Sequence, residues 1–423
     1  MSVRLSSRTD VRVDEPVVEL VVTTRREHPD PGAADTGTAA PAPERAPRRR
    51  PRWLVPLGIY ALSRVVVLVS VLPGAFRHFT VKQEPWPFEP AGSGLLHVLG
   101  RWDAAWYLMI AHRGYPGSRL LRAHLSDVAF FPLHPMLLRG LTDVTRLPSL
   151  VAGELLVAGL GAVAALLVWR LADRLGGPVV AQRAVLLFCF FPGAFSLSFI
   201  YAEPLMIVGL AGCLVALVER RWILAGLAGA IATASRPNAC VILLACAWAA
   251  AGAIRRDRDW RSLAAPGLAA SGIGGYFLYL WAHSGDLGAW FRSERVMWHD
   301  HMSPTAIVSY FRQVLNHPPS LHSAGLDGLV LMLGLVFIAA ALLGLRRVAW
   351  PRPLVAYTVA ALLLPLTSVA VGPRPRILMA AFPVAILAAT RIRGRAFTAV
   401  VITSGVALGF ASYLGATSLA MTP

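Results

Sequence analysis

The sequence predicts an all-α, polytopic integral membrane protein, and three observations carry that prediction. Hydrophobic residues make up 56% of the 423 positions and charged residues only 15%, whereas a soluble domain carries charge at about a quarter of its positions. From Trp53 onward, long apolar runs alternate with short polar joints. The cations behind the net charge of +17 gather in those joints and in the N-terminal stretch, as they do in multi-pass proteins whose loops stay on the basic side. The expected partner is therefore a lipid bilayer and not nucleic acid. Four cysteines (Cys189, Cys213, Cys240 and Cys246) all fall inside apolar runs without metal-ligand spacing, so neither a disulfide scaffold nor a cysteine metal site is expected.

Residues 1–52 are rich in Pro, Ala, Asp, Glu and Arg and end in the cluster Arg48-Arg49-Arg50-Pro51-Arg52. They cannot bury enough apolar surface to offset their ordering entropy, which predicts a disordered, basic cytoplasmic tail. The first apolar segment begins only at Trp53, so no cleavable signal peptide is expected. Residues 53–423 form the transmembrane domain. A spanning helix needs about 20 apolar residues, which fits the runs 53–73, 149–169, 184–201, 238–254, 262–283, 327–345, 353–371 and 396–416. Weaker candidates are 203–218, 222–235 and 377–391, giving about eleven spans in all.

Orientation follows from arginine placement. The joints Arg170–Arg183, Glu219–Arg221, Arg255–Arg261, Arg346–Arg352 and Arg391–Arg395 are basic, and Trp169, Trp222, Trp260 and Trp350 mark their boundaries as interfacial aromatics do. Placing them all on the cytoplasmic side requires that 128–142, with Pro132, Pro135 and Arg139, lie re-entrant or along the interface without crossing. Two large extracytoplasmic loops result, at about 74–148 and 284–326.

Polar groups on that outer side are the candidates for chemistry. In Arg101-Trp102-Asp103, helical spacing puts Trp102, Trp106 and Met109 or Ile110 on one face, predicting an interfacial helix with Asp103 beside its apolar stripe. Asp103 reads either as a surface carboxylate paired with Arg101 or as a partly desolvated general base. Glu203 precedes Pro204 at an outer turn, where helix capping explains an acid as well as function does. Arg236, Arg374 and Arg376 lie on short outer turns, where arginine is disfavoured. A guanidinium there either snorkels to the surface or meets an anion, and a lipid phosphate suits its geometry. His299-Asp300-His301 could ligate a metal, but neighbours in sequence rarely point inward together, and no metal site is expected. P-loop, GxGxxG and GxSxG patterns are absent in any useful context.

These stretches resemble the PIG-V family, the second mannosyltransferase of GPI-anchor assembly, in a bacterial form. The resemblance rests on Arg101-Trp102-Asp103 with Trp106-Tyr107, Ile110-Ala111 and Gly114-Tyr115, on Ala129-Phe130-Phe131-Pro132-Leu133-His134-Pro135, on Phe191-Pro192 through Glu203, and on Ala232 to Asn238. The family usually has tyrosine in place of His134. The resemblance implies a GT-C glycosyltransferase fold, a large first outer loop with a non-spanning helix, and a catalytic acid in that loop, which is Asp103. It further implies inverting, metal-independent transfer of mannose from polyprenyl-phosphate mannose, with no cofactor besides that lipid-linked substrate. The partners implied are polyprenyl-phosphate sugar and a glycan, lipid or protein acceptor. Donor and acceptor contacts would fall to Arg101, Trp102, Glu203, Arg236, Arg374 and Arg376. Arginine in place of lysine almost throughout (Lys82 is the sole lysine) points to a GC-rich bacterium and a multi-pass plasma-membrane protein with its active site outside. The competing expectation is a transporter or flippase of lipid-linked sugar, disfavoured because no internal repeat is visible and the polar residues cluster on one side.

Overall fold

The computed structural model describes residues 53–76, 93–115, 126–316 and 323–417. The basic tail 1–52 and Lys82 lie outside the described residues. The fold is helical, and among the described residues the one isolated bridge joins Met302 to Ser368.

The membrane bundle is built from α1 (Leu54–Ala75), then, beyond the first loop, α5 (Ser149–Cys189), α6 (Glu203–Val218), α7 (Trp222–Ser235), α8 (Ile242–Asp257) and α9 (Ala264–Ser284), and finally α12 (Ser323–Leu345), α13 (Arg352–Leu363), α15 (Pro383–Arg391) and α16 (Gly394–Thr417). Among the described residues, six helices are long and apolar enough to cross a membrane: Leu54–Ala75, Ser149–Cys189, Pro237–Asp257, Trp260–Ser284, Leu326–Leu345 and Gly394–Thr417. Their outward faces keep Leu62, Val65, Val69, Leu333, Val336 and Val406 exposed, which water would penalise and lipid does not. Inside, helices tie to one another through small polar groups, as where Thr233 Oγ1 on α7 donates to the carbonyl of Ala269 on α9 at 2.7 Å.

Several predicted boundaries are corrected. The joint expected at 170–183 narrows to a break at Gly177, whose φ of 78° and ψ of −179° only glycine adopts freely and which parts two helices within α5, the first running on past Arg170 and the second starting before Arg183. The span expected over 184–201 stops at Cys189 and gives way to the 3-10 turn Pro192–Leu197, since Pro192 removes a backbone donor. The span expected over 353–371 likewise stops at Leu363 before the turn Leu364–Thr367. The run 377–391 is broken into α14 (Pro375–Leu378), the turn Met379–Ala381 and α15. The last three of these interruptions occur at one end of the bundle, the end where α6 begins and α7 finishes. Irregular backbone at such a depth is tolerated where it is enclosed by protein, and here it frames the candidate site. The basic turn Glu219–Arg221 lies at the opposite end of α6 and α7, its Glu219 paired with Arg170 at 2.7 Å and Arg174 at 3.1 Å.

Within the first loop lie α2 (Leu95–Leu99), α3 (Asp103–Arg113) and α4 (Leu133–Thr145); α10 (Ala289–Met297) and α11 (Ala306–Asn316) occupy the second. Helix α4 has 13 residues, too short to span, as the reading of 128–142 required. It buries His134, Pro135 and Leu138 and exposes Met136, Leu137 and Val144. Helix α3 departs from the expected interfacial helix: every residue from Ala104 to Ala111 is buried. Its Leu108 side packs on the main core, and Trp106 and Ile110 are covered by Phe130, Ala202 and Trp298.

Candidate active site

Asp103 is presented at the first position of α3 by a strained residue. Trp102 has φ 61° and ψ −127°, a conformation that costs a bulky residue about 1–3 kcal/mol. The strain is held by the end of α16, where Trp102 Nε1 donates to the Gly415 carbonyl at 2.9 Å and Arg101 Nη1 to that of Ala416 at 3.1 Å. Carbonyls at a helix C-terminus lack intrahelical partners and carry negative partial charge, so an indole N–H and a guanidinium are suited to them. The side chains of Arg101 and Trp102 are thus turned to α16, while Asp103 faces elsewhere.

Three further elements converge on Asp103. Glu203 is the first residue of α6 and is only 1% exposed. Arg236 ends α7 in extended conformation ahead of Pro237. Arg376 lies in α14, immediately after the extended Arg374. Arg376 Nη2 sits 2.8 Å from Asp103 Oδ2, and its Nε 3.1 Å from Glu203 Oε1. Arg236 Nη1 donates to Glu203 Oε1 at 2.8 Å and lies 3.9 Å from Asp103 Oδ2. Two acids and two arginines alternate around a closed ring, so the buried charges compensate one another. Burial opposes the charge on both arginines, but for Arg376 the carboxylates of Asp103 and Glu203, and for Arg236 chiefly that of Glu203, outweigh it and hold the guanidinium above its usual pKa. Arg376 also covers the ring of Tyr201, with its guanidinium carbon 5.0 Å from the centroid.

The backbone of Arg376 is fixed by close approach of the turn at Pro192–Leu197. A Cβ on Gly193 would stand 2.2 Å from the Pro375 carbonyl oxygen and 2.9 Å from the Arg376 nitrogen. Only glycine fits, and it fits because the two chains touch there.

An aromatic wall closes one side. Trp106 stacks on Phe130 at 5.5 Å, and Trp298 of the second loop meets both edge-on at 5.6 Å. Tyr107 packs against His134 at 4.9 Å. Burial, with the nearby Arg236, pushes the His134 imidazole down to about 3, so this histidine is neutral. Glu294, on α10, was not singled out in the sequence. Burial pushes its carboxyl up to about 7, an effect increased by the charges of Asp300 and Asp103 and opposed by Arg236. No charge pattern marked it, because Asp103 and Arg236 come to it from two distant segments and only Asp300 from its own loop.

On the other side of Arg376 an apolar cavity of about 480 Å³ opens among α5, α12, α15 and α16. Phe188, Phe195, Leu333, Phe337 and Phe410 are among its walls, and Arg374, Arg376 and Asp327 gather at one part of its lining. Arg374 Nη2 faces Asp327 Oδ1 at 3.8 Å. Asp103, Glu203, Arg236 and Arg376 are therefore brought together, Arg374 stands beside them on the cavity, and Arg101 and Trp102 support the ensemble from behind. Among the described residues, no cluster of three or more His, Cys, Asp or Glu has a geometry for a metal ion. In His299-Asp300-His301, the Asp300 carboxylate is occupied by Ser368 and by backbone N–H groups.

Fold and site together define a helical, multi-pass membrane protein with a ring of paired charges beside an apolar cavity. The crystal structure of ArnT from Cupriavidus metallidurans bound to undecaprenyl phosphate is similar at a TM-score of 0.51 and 14% identity, covering 85% of this chain and 75% of that one. An oligosaccharyltransferase of Archaeoglobus fulgidus tethered with an acceptor peptide gives a TM-score of 0.43 at 12% identity, covering 85% of this chain and 54% of that one. No family model and no curated protein matches the sequence.

Proposed function

We propose that this protein is a membrane glycosyltransferase that moves a sugar from a polyprenyl-phosphate donor to an acceptor hydroxyl at the outer membrane face. The observation that supports it most is the continuity between an apolar cavity, an arginine pair and a carboxylate: Arg376 both lines the cavity and touches Asp103. A polyprenyl chain suits the apolar walls. Its phosphate would then lie against Arg374 and Arg376, and the sugar beyond it would reach Asp103. The similarity of the fold to that of ArnT, solved with undecaprenyl phosphate, agrees with such a donor.

In the reaction, Asp103 accepts the proton of the acceptor hydroxyl as its oxygen attacks the anomeric carbon. The bond from that carbon to the phosphate oxygen breaks, the configuration inverts, and polyprenyl phosphate leaves with the bonding electrons. Negative charge grows on that phosphate, and Arg376 with Arg374 offsets it. Arg236, which does not line the cavity, keeps Glu203 paired and so holds the ring of charges in shape. Arginine supplies the positive charge in this account, so no metal is called for.

Mannose is the sugar favoured by the resemblance of Arg101-Trp102-Asp103 and its companions to the PIG-V family. An arginine-rich bacterial chain with its basic joints in the cytoplasm would place the site outside and use a glycan, lipid or protein acceptor. Membranes containing the protein should transfer label from radioactive polyprenyl-phosphate mannose. Transfer from another polyprenyl-phosphate sugar alone would change the substrate, and label appearing across the membrane without transfer would favour a flippase.

A further inference from the structure

The second loop carries, after α10, a short segment that is anchored twice beside the site. Its Trp298 packs on Trp106, three residues from Asp103 in the same helix, and on Phe130. Two residues later, Asp300 holds the chain that leads into Arg374 and Arg376. Asp300 Oδ2 accepts from Ser368 Oγ at 2.8 Å, and Oδ1 accepts the backbone N–H groups of Val369 and Ala370, each at 3.0 Å. Around this clamp, Val369 N–H also reaches the His301 carbonyl at 3.1 Å, Ser303 N–H donates to Thr367 at 2.7 Å, and Met302 opposes Ser368 in an antiparallel bridge. Helix α11 adds Tyr310, whose hydroxyl donates to the Pro365 carbonyl at 3.3 Å.

The clamp holds the start of a non-helical stretch whose later part rests on α12, where Pro373 lies against Gly334, and on the Pro192–Leu197 turn, where Pro375 lies against Gly193. Helix α13 ends at Leu363, and only the turn Leu364–Thr367 separates it from the irregular chain 368–374. A carboxylate accepting several hydrogen bonds orders such backbone at about twice the strength of neutral bonds. The strain at His299, with φ 52°, is in keeping with a segment held to a fixed course between two anchors.

We infer that Asp300 is a positioning residue, fastening residues 298–303 as a strap that sets Arg374 and Arg376 relative to Asp103. The inference rests on the reading that these arginines receive the donor phosphate. It also accounts for the His299-Asp300-His301 motif without a metal: the acid is turned to the chain that carries the arginines.

The test uses the full-length protein in membranes and in detergent. Asp300→Ala should lower kcat for transfer from polyprenyl-phosphate mannose by about 10- to 100-fold, with the acceptor KM nearly unchanged. Asp300→Asn, which keeps an oxygen acceptor for Val369 and Ala370, should recover most of the rate. In the Asp300→Ala background, Met302→Cys with Ser368→Cys replaces the clamp by a covalent one, since bridge partners stand about 4.5–5.5 Å apart at Cα. Oxidation of that pair should restore transfer, and reduction should abolish it again. Full activity in Asp300→Ala, or no recovery on oxidation despite complete cross-linking, would overturn the proposal. Hydrogen exchange supplies a readout independent of activity: amides of 369–376 should exchange at least about tenfold faster in Asp300→Ala. If wild type transfers nothing but exchange accelerates, the donor assignment fails and the strap stands; unchanged exchange removes the strap.

Discussion

Asp103 and Arg376 meet at 2.8 Å between Oδ2 and Nη2, joining the first loop to the last irregular segment of the bundle. The same Arg376 reaches Glu203 at 3.1 Å and lines the apolar cavity. One guanidinium thus stands between the carboxylate that would accept a proton and the space suited to a lipid-linked phosphate. On the proposed reading, an incoming phosphate would compete with Asp103 for it, and this exchange would free the carboxylate when the donor is bound.

Arg374 and Arg376 are then expected to separate in their effects. Arg374→Gln should raise the donor KM by about tenfold with kcat little changed, the loss of one half-buried charge contact. Arg376→Gln should lower kcat by about 10²-fold or more, because the charge it offsets grows in the transition state. Steady-state kinetics with varied donor distinguish the two, and unchanged donor kinetics in both variants would remove the phosphate from this site.

Glu203 is 1% exposed and its Oε1 serves both arginines. Glu203→Gln leaves two buried guanidinium groups against one carboxylate, and breaking such a compensated set costs about 3–5 kcal/mol. The melting temperature in detergent should fall by several degrees. A Tm within a degree of wild type would show that the charges are not compensating one another.

Glu294 gives a pH signature. Its carboxyl is raised from 4.5 to about 7 in the folded protein, so the folded state holds the proton more tightly than the unfolded one. The stability that this proton contributes is fully present below pH 4.5 and lost as pH rises through about 7. Thermal unfolding of wild type should therefore show a loss of about 2–3 kcal/mol between these limits. Glu294→Gln, which mimics the protonated form, should flatten that part of the profile and be the more stable protein at pH 8. Parallel profiles for the two proteins would contradict it.

Gly193 should tolerate no side chain. Gly193→Ala drives a Cβ into the Pro375 carbonyl, and a 1 Å displacement of Arg376 is enough to cost about 10²-fold in rate. Transfer assays on correctly inserted protein, checked by gel filtration, measure this; an alanine variant with wild-type rate would mean that the two segments separate freely.

Much of this architecture was legible in the sequence because the bilayer imposes long apolar runs and sorts arginine to one side. The same sorting exposed Arg236, Arg374 and Arg376 as cations on the wrong turns, and the structure brings Arg236 and Arg376 onto Asp103 and Glu203. Hydropathy could not show where helices stop short: Leu186 to Tyr201 is apolar but for Ser196 and Ser198, yet the chain leaves the helix at Cys189 because of Pro192 and Gly193. Neither could it assign Arg101 and Trp102, adjacent to Asp103 in sequence, to the end of α16. Their strained junction turns neighbouring side chains to different parts of the molecule. Glu294 was hidden for a related reason, as its environment is assembled by α3, α7 and its own loop.

The central claim is that Asp103 accepts the acceptor's proton, and transfer from radiolabelled polyprenyl-phosphate mannose by wild type and Asp103→Asn tests it most directly. The account predicts at least about a 10²-fold loss of transfer in the variant, with protein level retained, a melting temperature that falls less than in Glu203→Gln because Asp103 is 21% and not 1% exposed, and affinity for polyprenyl phosphate equal or higher, because Arg376 has lost a competing carboxylate. Wild-type transfer by Asp103→Asn would contradict it.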